Sequence, residues 1–327
     1  MEFTKSPLRI STMTITADWG MPIRLDILFD QLTPYFIPVG YPEEGILKFE
    51  RKKKVLGACH KDLFTNRKIT KNPFYNQDTI ILRRPFESGF KEVNMKLFES
   101  GGIQMTGVKS KEFATESIAW LLELIKTLPI SPFQAVATVA EATVATATTV
   151  TAPETIATAA ATTTPTATVT AATAATAATE TVPKKVKPKT RVITNTSPSI
   201  TKVGISLINT DYSLNCDIQQ DNLHRLLIER YNLFSMLEKT IYQGVNAKYF
   251  YNTNNHSTGV CACGLPAFCK GQGTGDGKGE CKRITMSIFR TGKIIITGAR
   301  TMDQIEEAYR FLNRVFDMHK DTVLIKR

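Results

Sequence analysis

Met286-Ser287-Ile288-Phe289-Arg290-Thr291-Gly292-Lys293-Ile294-Ile295-Ile296-Thr297-Gly298 repeats a stretch 191 residues earlier, Met95-Lys96-Leu97-Phe98-Glu99-Ser100-Gly101-Gly102-Ile103-Gln104-Met105-Thr106-Gly107. Met, Phe, Gly, Ile, Thr and Gly coincide without a gap. Each copy reads as strand, tight turn and strand, because a Gly at the third turn position supplies the positive φ a hairpin needs. A helix follows each one. Phe113, Ile118, Leu121, Leu122 and Ile125 form its apolar stripe in the first copy; Ile305, Tyr309, Leu312, Val315 and Phe316 form it in the second. Ser110 and Thr301 stand where caps are expected, and Thr301 with Gln304 has the capping-box spacing. A duplicated unit of this kind implies a pseudo-twofold molecule, which suits a ligand that is itself a symmetric double strand.

Upstream, the order also repeats. Ile10–Ile15 and Val203–Leu207 alternate with period two, as strands with one covered face do. Helical stretches follow at Ile23–Leu32 and at Asp217–Tyr231, the latter with Asp217 placed to cap it. A further strand is expected at Gly45–Phe49 and at Val245–Phe250, and then an insertion before each hairpin. Strand, helix, strands and helix, twice over, predict an α+β fold: an antiparallel sheet with its helices on one face only. The other face must be covered or used.

Between the halves, from about Gln134 to Pro183, the chain is almost only Ala and Thr. It has no aromatic and no periodic apolar face, so burial cannot offset its ordering entropy. We therefore expect three segments: 1–133, a disordered linker 134–194, and 195–327. The run Thr155–Thr179 is uncharged but too rich in Thr, and broken by Pro165, to span a membrane.

The net charge is +11. The first half carries 19 Lys and Arg against 15 Asp and Glu, and the second 17 against 12, so both are basic. That favours a polyanionic partner or serves solubility alone. Lys184-Lys185-Val186-Lys187-Pro188-Lys189-Thr190-Arg191 is a localisation signal, a phosphate-binding arm or a solvated linker end. The first seven residues lack the apolar core of a secretory signal, and six cysteines without one suit a reducing compartment.

Here the residues resemble a known family. Ser287–Ala299 fits the Leu-Ile-Phe-x-Ser-Gly-Lys-x-x-x-Thr-Gly-Ala pattern of the TATA-box-binding proteins at most positions, and Ile241-Tyr242-Gln243-Gly244-Val245 resembles their Leu-Phe-Pro-Gly-Leu strand entry. The long insertions and low-complexity linker are most similar to the divergent TATA-binding-like factors of large DNA viruses. The resemblance implies two pseudo-symmetric repeats forming a curved sheet, a saddle with helices on the convex face and a concave face seated on the DNA minor groove. It implies a monomeric, non-enzymatic transcription initiation factor that binds and bends promoter DNA and recruits a transcription factor B-like protein and RNA polymerase. The alternative is a scaffold of the same fold that docks such partners without entering DNA. The expected setting is intracellular: host cytoplasm, viral factory or virion for a viral protein, otherwise the nucleus.

Carried over by position, the resemblance makes Phe98 and Phe289 wedges between base steps, with Leu97 and Ile288 turned to the helices; the alternative is two ordinary core phenylalanines on the helix side. Tyr242 takes the place of a second wedge, and Tyr41 is the candidate for its counterpart. Thr106 and Thr297 become groove-floor threonines, Val203 and Ile10 apolar contacts near the dyad, and Lys293 a phosphate contact whose counterpart is Gly102. The family's central asparagine pair is replaced by Leu8 and Thr201, which puts consensus readout in doubt.

Both insertions are expected at the same place, in the loops that straddle the DNA. The first carries Arg51-Lys52-Lys53-Lys54 and Arg67-Lys68, which reach phosphates or are simply solvated. The second holds Cys261, Cys263, Cys269 and Cys281. Four thiols within 21 residues suit tetrahedral zinc, with His256 as a substitute ligand; the spacing is not that of a standard finger, and free thiols are the alternative. Cys59 and Cys216 read as packing residues. Gly271–Gly279 is not a nucleotide loop: no apolar strand precedes it, and Gly279 stands where Ser or Thr is required.

Overall fold

Alternation decides the sides of the sheet. Along Arg9–Asp18, Met13, Ile15 and Ala17 are buried while Thr12, Thr14 and Thr16 on the opposite side are half-exposed. The same split recurs along nearly every long strand of the computed structural model, which describes residues 3–65, 76–134, 197–254, 257–264 and 269–326. The first half runs β1 (Arg9–Asp18), α1 (Leu25–Leu32), β2 (Gly45–Arg51), β3 (Lys54–Gly57), α2 (His60–Phe64), β4 (Gln77–Phe86), β5 (Gly89–Phe98), β6 (Gly102–Val108) and α3 (Lys111–Lys126). The second runs β7 (Thr201–Ser213), β8 (Cys216–Ile218), α4 (Gln220–Glu229), β9 (Phe234–Glu238), β10 (Tyr242–Tyr251), β11 (Lys282–Phe289), β12 (Lys293–Ala299), α5 (Met302–Val323) and β13 (Leu324–Lys326).

Eleven of these strands make one sheet in the order β3-β2-β4-β5-β6-β1-β7-β12-β11-β10-β9, and every neighbouring pair is antiparallel. Both halves belong to one compact unit, Met1–Val136 with Thr194–Arg327. They meet at the β1–β7 pair, and the strand order mirrors about that seam. The expected α+β architecture, two pseudo-symmetric repeats sharing one antiparallel sheet, is what the chain adopts.

The short α2 departs from the expected one-sided arrangement, lying on the face opposite Met13, where Asp62 accepts from Lys48 Nζ at 2.9 Å and His60 is bonded to Glu92. Helices α1, α3, α4 and α5 cover the Met13 side. Phe113, Ile118, Leu121, Leu122 and Ile125 of α3 and Ile305, Phe311, Leu312, Val315 and Phe316 of α5 are buried there with Leu97, Met105, Ile288 and Ile296 from the strands. Each fully buried side chain of this size contributes about 1.5–3 kcal/mol, so these two stripes hold the helices in place. Both starts are capped as their sequences predict. Ser110 Oγ accepts from Phe113 N at 3.2 Å and Thr301 Oγ1 from Gln304 N at 3.4 Å, while Gln304 reaches back to the Arg300 N–H. The turn glycines also behave as read: Gly101 has φ +88° and Gly292 φ +72°.

Three expectations are corrected. Asp217 lies in β8, paired with Ile325, and α4 begins only at Gln220. Gly45–Phe49 and Val245–Phe250 are not equivalent strands, since the mirrored order matches β2 with β9 and β4 with β10. The insertions therefore sit at different places. The first, with β3 and α2, separates β2 from β4; the second separates β10 from β11, where the first half has only the turn at Glu87–Ser88 between β4 and β5. The sequence could not decide this, because β2 and β4 are both short apolar runs and either can precede the hairpin.

Candidate nucleic-acid interface

The pairing register fixes which residues of the two halves correspond. Thr14 lies opposite Thr106 as Asn209 lies opposite Thr297, and Asp18 opposite Gly102 as Ser213 opposite Lys293. Even the irregularities match. Ser11 and Ser206 are the extra residues where the β1–β7 register shifts, and each hydroxyl donates to the partner strand: Ser11 to Asn209 O at 3.0 Å, Ser206 to Thr14 O at 3.1 Å. A bulge flips the side on which later residues emerge.

That flip matters for two expected contacts. Ile10 lies opposite the buried Thr210, and Val203 sits two residues from Ile205, which pairs with the buried Ile15. Both pack against the core, whereas Leu207 and Ile295 stand on the face opposite α3 and α5. Leu8 precedes β1, and Thr201 opens β7 opposite Asp18, so neither is central. The centre is held by Thr14 and Asn209, the partners of the repeated threonines. Asn209 Oδ1 accepts from the Thr297 hydroxyl. Period-two patterning alone cannot locate a bulge, so both residues escaped the sequence reading.

Farther out, Phe98 and Phe289 are half-exposed on this face, and Leu97 and Ile288 are fully buried behind them. The Tyr242 ring, 39% exposed, leans on Phe289 with centroids 5.6 Å apart. Gly244, opposite Phe289 in the ladder, makes room for the pair: a Cβ there would lie 2.9 Å from the Tyr242 ring and 3.2 Å from that of Phe289. Gln77 lies opposite Phe98 as Gly244 lies opposite Phe289; Tyr75, two residues before Gln77 in the sequence, lies outside the described residues. Tyr41 is elsewhere, exposed ahead of β2, with its carbonyl accepting from Arg83.

Lys293 is ion-paired with Asp211, and so is Arg9, whose Nε and Nη2 donate to the two carboxylate oxygens at 2.8 and 2.9 Å. The Arg9 hydrogen bond, with help from Lys293, holds the Asp211 carboxyl below its usual range. Nothing in the sequence joins Arg9 to a partner 202 residues away. Of the basic run, Arg51 is turned inward to Asp78, Lys52 and Lys53 make the β2–β3 turn, and Lys54 is exposed; Arg67 and Lys68 lie outside the described residues.

The four expected cysteines come together. The sulfurs of Cys261, Cys263, Cys269 and Cys281 all lie within 4.8 Å of one another, with Cys261 and Cys263 at 3.3 Å. A tetrahedral zinc about 2.3 Å from each sulfur needs sulfurs about 3.8 Å apart, so the set fits such an ion. Burial pushes the Cys261 thiol up to about 12 and raises that of Cys269. Asn252, fully buried, donates to Cys281 Sγ at 3.6 Å. His256 lies outside the described residues. The glycine-rich stretch serves as loop: Gly271, Gly275 and Gly277 have positive φ, and Gly273 packs so tightly that a Cβ would fall 1.8 Å from Glu280 O. Gln304 of α5 fastens it by donating to Thr274 O at 2.9 Å.

The family model described as "Transcription factor TFIID (or TATA-binding protein, TBP)" matches residues 278–318, which hold the second hairpin and most of α5. The chain is similar to the TATA-binding proteins. Over 329 aligned residues it is 24% identical to a "TATA-box-binding protein-like" protein of Acanthamoeba polyphaga mimivirus, covering 97% of this chain and 67% of that protein. Among solved structures, Methanococcus jannaschii TBP matches at TM-score 0.39 and 13% identity over 97% of this chain and all of that one. Among the described residues, no helix is long and apolar enough to cross a membrane.

Proposed function

We propose that this chain is a non-enzymatic transcription initiation factor that binds duplex DNA with the sheet face opposite α3 and α5 and bends it through the minor groove. The observation that carries the reading is the symmetric placement of Phe98 and Phe289. Each is an aromatic left half-exposed on a polar face, where its apolar surface is costly unless a partner covers it. Base steps are such a partner: an inserted ring unstacks them and the duplex kinks. Tyr242 widens the wedge on one side, and Thr14, Thr106, Asn209 and Thr297 supply hydrogen-bonding groups between the wedges. Asn209 donates as well as accepts, so it can meet the base acceptors of an A·T pair.

The outer surfaces of α3 and α5 dock a transcription factor B-like protein and RNA polymerase, and residues 134–194 tether the halves of a monomer acting inside the cell. The four thiols hold a structural zinc that clamps the inserted loop; a closed four-sulfur shell leaves no position for water and suits no catalytic role.

Duplex binding measured against salt tests the reading. A DNA-binding face gives a steep fall in affinity as salt rises, through release of counterions. A scaffold that only docks proteins gives no such slope, and that result would overturn the proposal. A bending assay on A·T-rich against random duplexes then separates groove insertion from surface binding.

A further inference from the structure

The two halves correspond closely at the seam, which makes one departure conspicuous. Arg9, Asp211 and Lys293 form a cluster beside β7 and β12. The ladder gives their counterparts in the other half as Gly204, Thr16 and Gly102: Arg9 pairs with Asp211 as Gly204 pairs with Thr16, and Lys293 corresponds to Gly102. All three charges are present on one side and all three are missing on the other, where the Thr16 hydroxyl merely donates to Gly204 O at 3.4 Å.

The exposures say what such a cluster presents. The Asp211 side chain is 7% exposed, that of Arg9 72% and that of Lys293 41%. The carboxylate is thus an anchor beneath two cations. A bidentate carboxylate fixes the direction of a guanidinium as well as its place, so Arg9 is held above the sheet near the seam. A nearly symmetric protein on a duplex otherwise has two equivalent seatings related by its dyad. A fixed cation pair on one side breaks that equivalence, because narrow A·T-rich minor groove concentrates negative potential and attracts Arg and Lys.

We propose that Arg9, Asp211 and Lys293 set the orientation of the protein on DNA, with the second half seated over the more A·T-rich side. This rests on the DNA-binding reading above and adds a polarity to it.

The test uses the full chain and a duplex that is A·T-rich on one side and G·C-rich on the other. A photocrosslinking base is placed in the A·T-rich side, and crosslinked peptides are assigned to 1–133 or 195–327 by mass spectrometry. For the wild type we expect an excess of about tenfold in the second half, the discrimination that one good site contact supports. The variant R9G/D211T/K293G, which gives both halves the same residues, is expected near parity. Adding G204R/T16D/G102K to it should reverse the bias. Thermal unfolding checks that the variants fold; should the triple variant not fold, Arg9→Gly alone removes the exposed member and is expected to lower the bias. An unbiased wild type, a wild type biased toward the other side, or a folded variant that keeps the wild-type bias overturns the proposal. So does a folded variant that no longer binds, since the cluster would then act on affinity in general. A wild type that binds no duplex sinks the DNA reading instead, which keeps the two failures apart.

Discussion

The Tyr242 ring lies against the Phe289 ring across β10 and β11, its plane tilted 60° to that of Phe289. Neither belongs to the core, so the pair contributes little to folding and remains available to a ligand. Phe289→Ala should therefore abolish DNA bending while costing less than about 2 kcal/mol of stability, well short of the 3–5 kcal/mol for a core aromatic. Fluorescence-based bend angles with a parallel thermal melt decide it. A soluble variant that bends DNA fully refutes the wedge.

The clustered thiols lead to a metal prediction. Purified without chelator, the protein should carry about one zinc per chain, and strong chelation should lower its melting temperature. Cys281→Ser, at a site with no solvent exposure, should lose the metal. Elemental analysis showing none in the wild type removes the zinc assignment.

Asp78 gives the protein a pH signature. It is 1% exposed, and burial pushes its carboxyl up to about 6 although Arg51 pulls the other way with hydrogen bonds of 2.9 and 3.1 Å. An unfolded Asp titrates near 3.9. Between about 4 and 6 the folded state thus holds the extra proton, and this group's contribution to stability is complete at low pH and lost as pH rises through about 6. The loss is roughly 3 kcal/mol. Denaturant melts across that window should show the slope in the wild type and not in Asp78→Asn. Identical profiles would contradict it.

Two glycines separate backbone strain from composition. At Gly292 a Cβ would lie 2.4 Å from Cys216 O and 2.8 Å from Leu214 O, and φ is +72°. At Gly279 nothing lies within 4 Å. Gly292→Ala should cost more than about 2 kcal/mol, and Gly279→Ala should stay within about 0.5 kcal/mol. Comparable melts for the two would mean that the hairpin yields more easily than its geometry implies.

What the sequence made legible follows the range of the forces involved. Helix stripes, caps and hairpin glycines are local, and α3, α5 and both turns are where the periodicity places them. The alternation that puts Leu97 and Ile288 inside is equally local. Features that depend on partners far along the chain were not legible. Examples are the bulges at Ser11 and Ser206, which redirect Ile10 and Val203, the matching of β4 rather than β2 to β10, and the bond between Arg9 and Asp211. The cysteine cluster falls between: its members are near in sequence, but Cys281 reaches them only because β11 returns beside β10.

The β1–β7 seam has a consequence for each half taken alone. Within the sheet the long pairing of these strands is the join, so severing residues 137–193 breaks none of its ladder hydrogen bonds. Either fragment by itself leaves a long strand with bare amides and carbonyls, an open edge that invites self-pairing. Residues 195–327 expressed alone should run as a homodimer through β7, and mixing in residues 1–133 should convert it to the heterodimer. An ancestral half-length protein would have met its own copy across the same boundary.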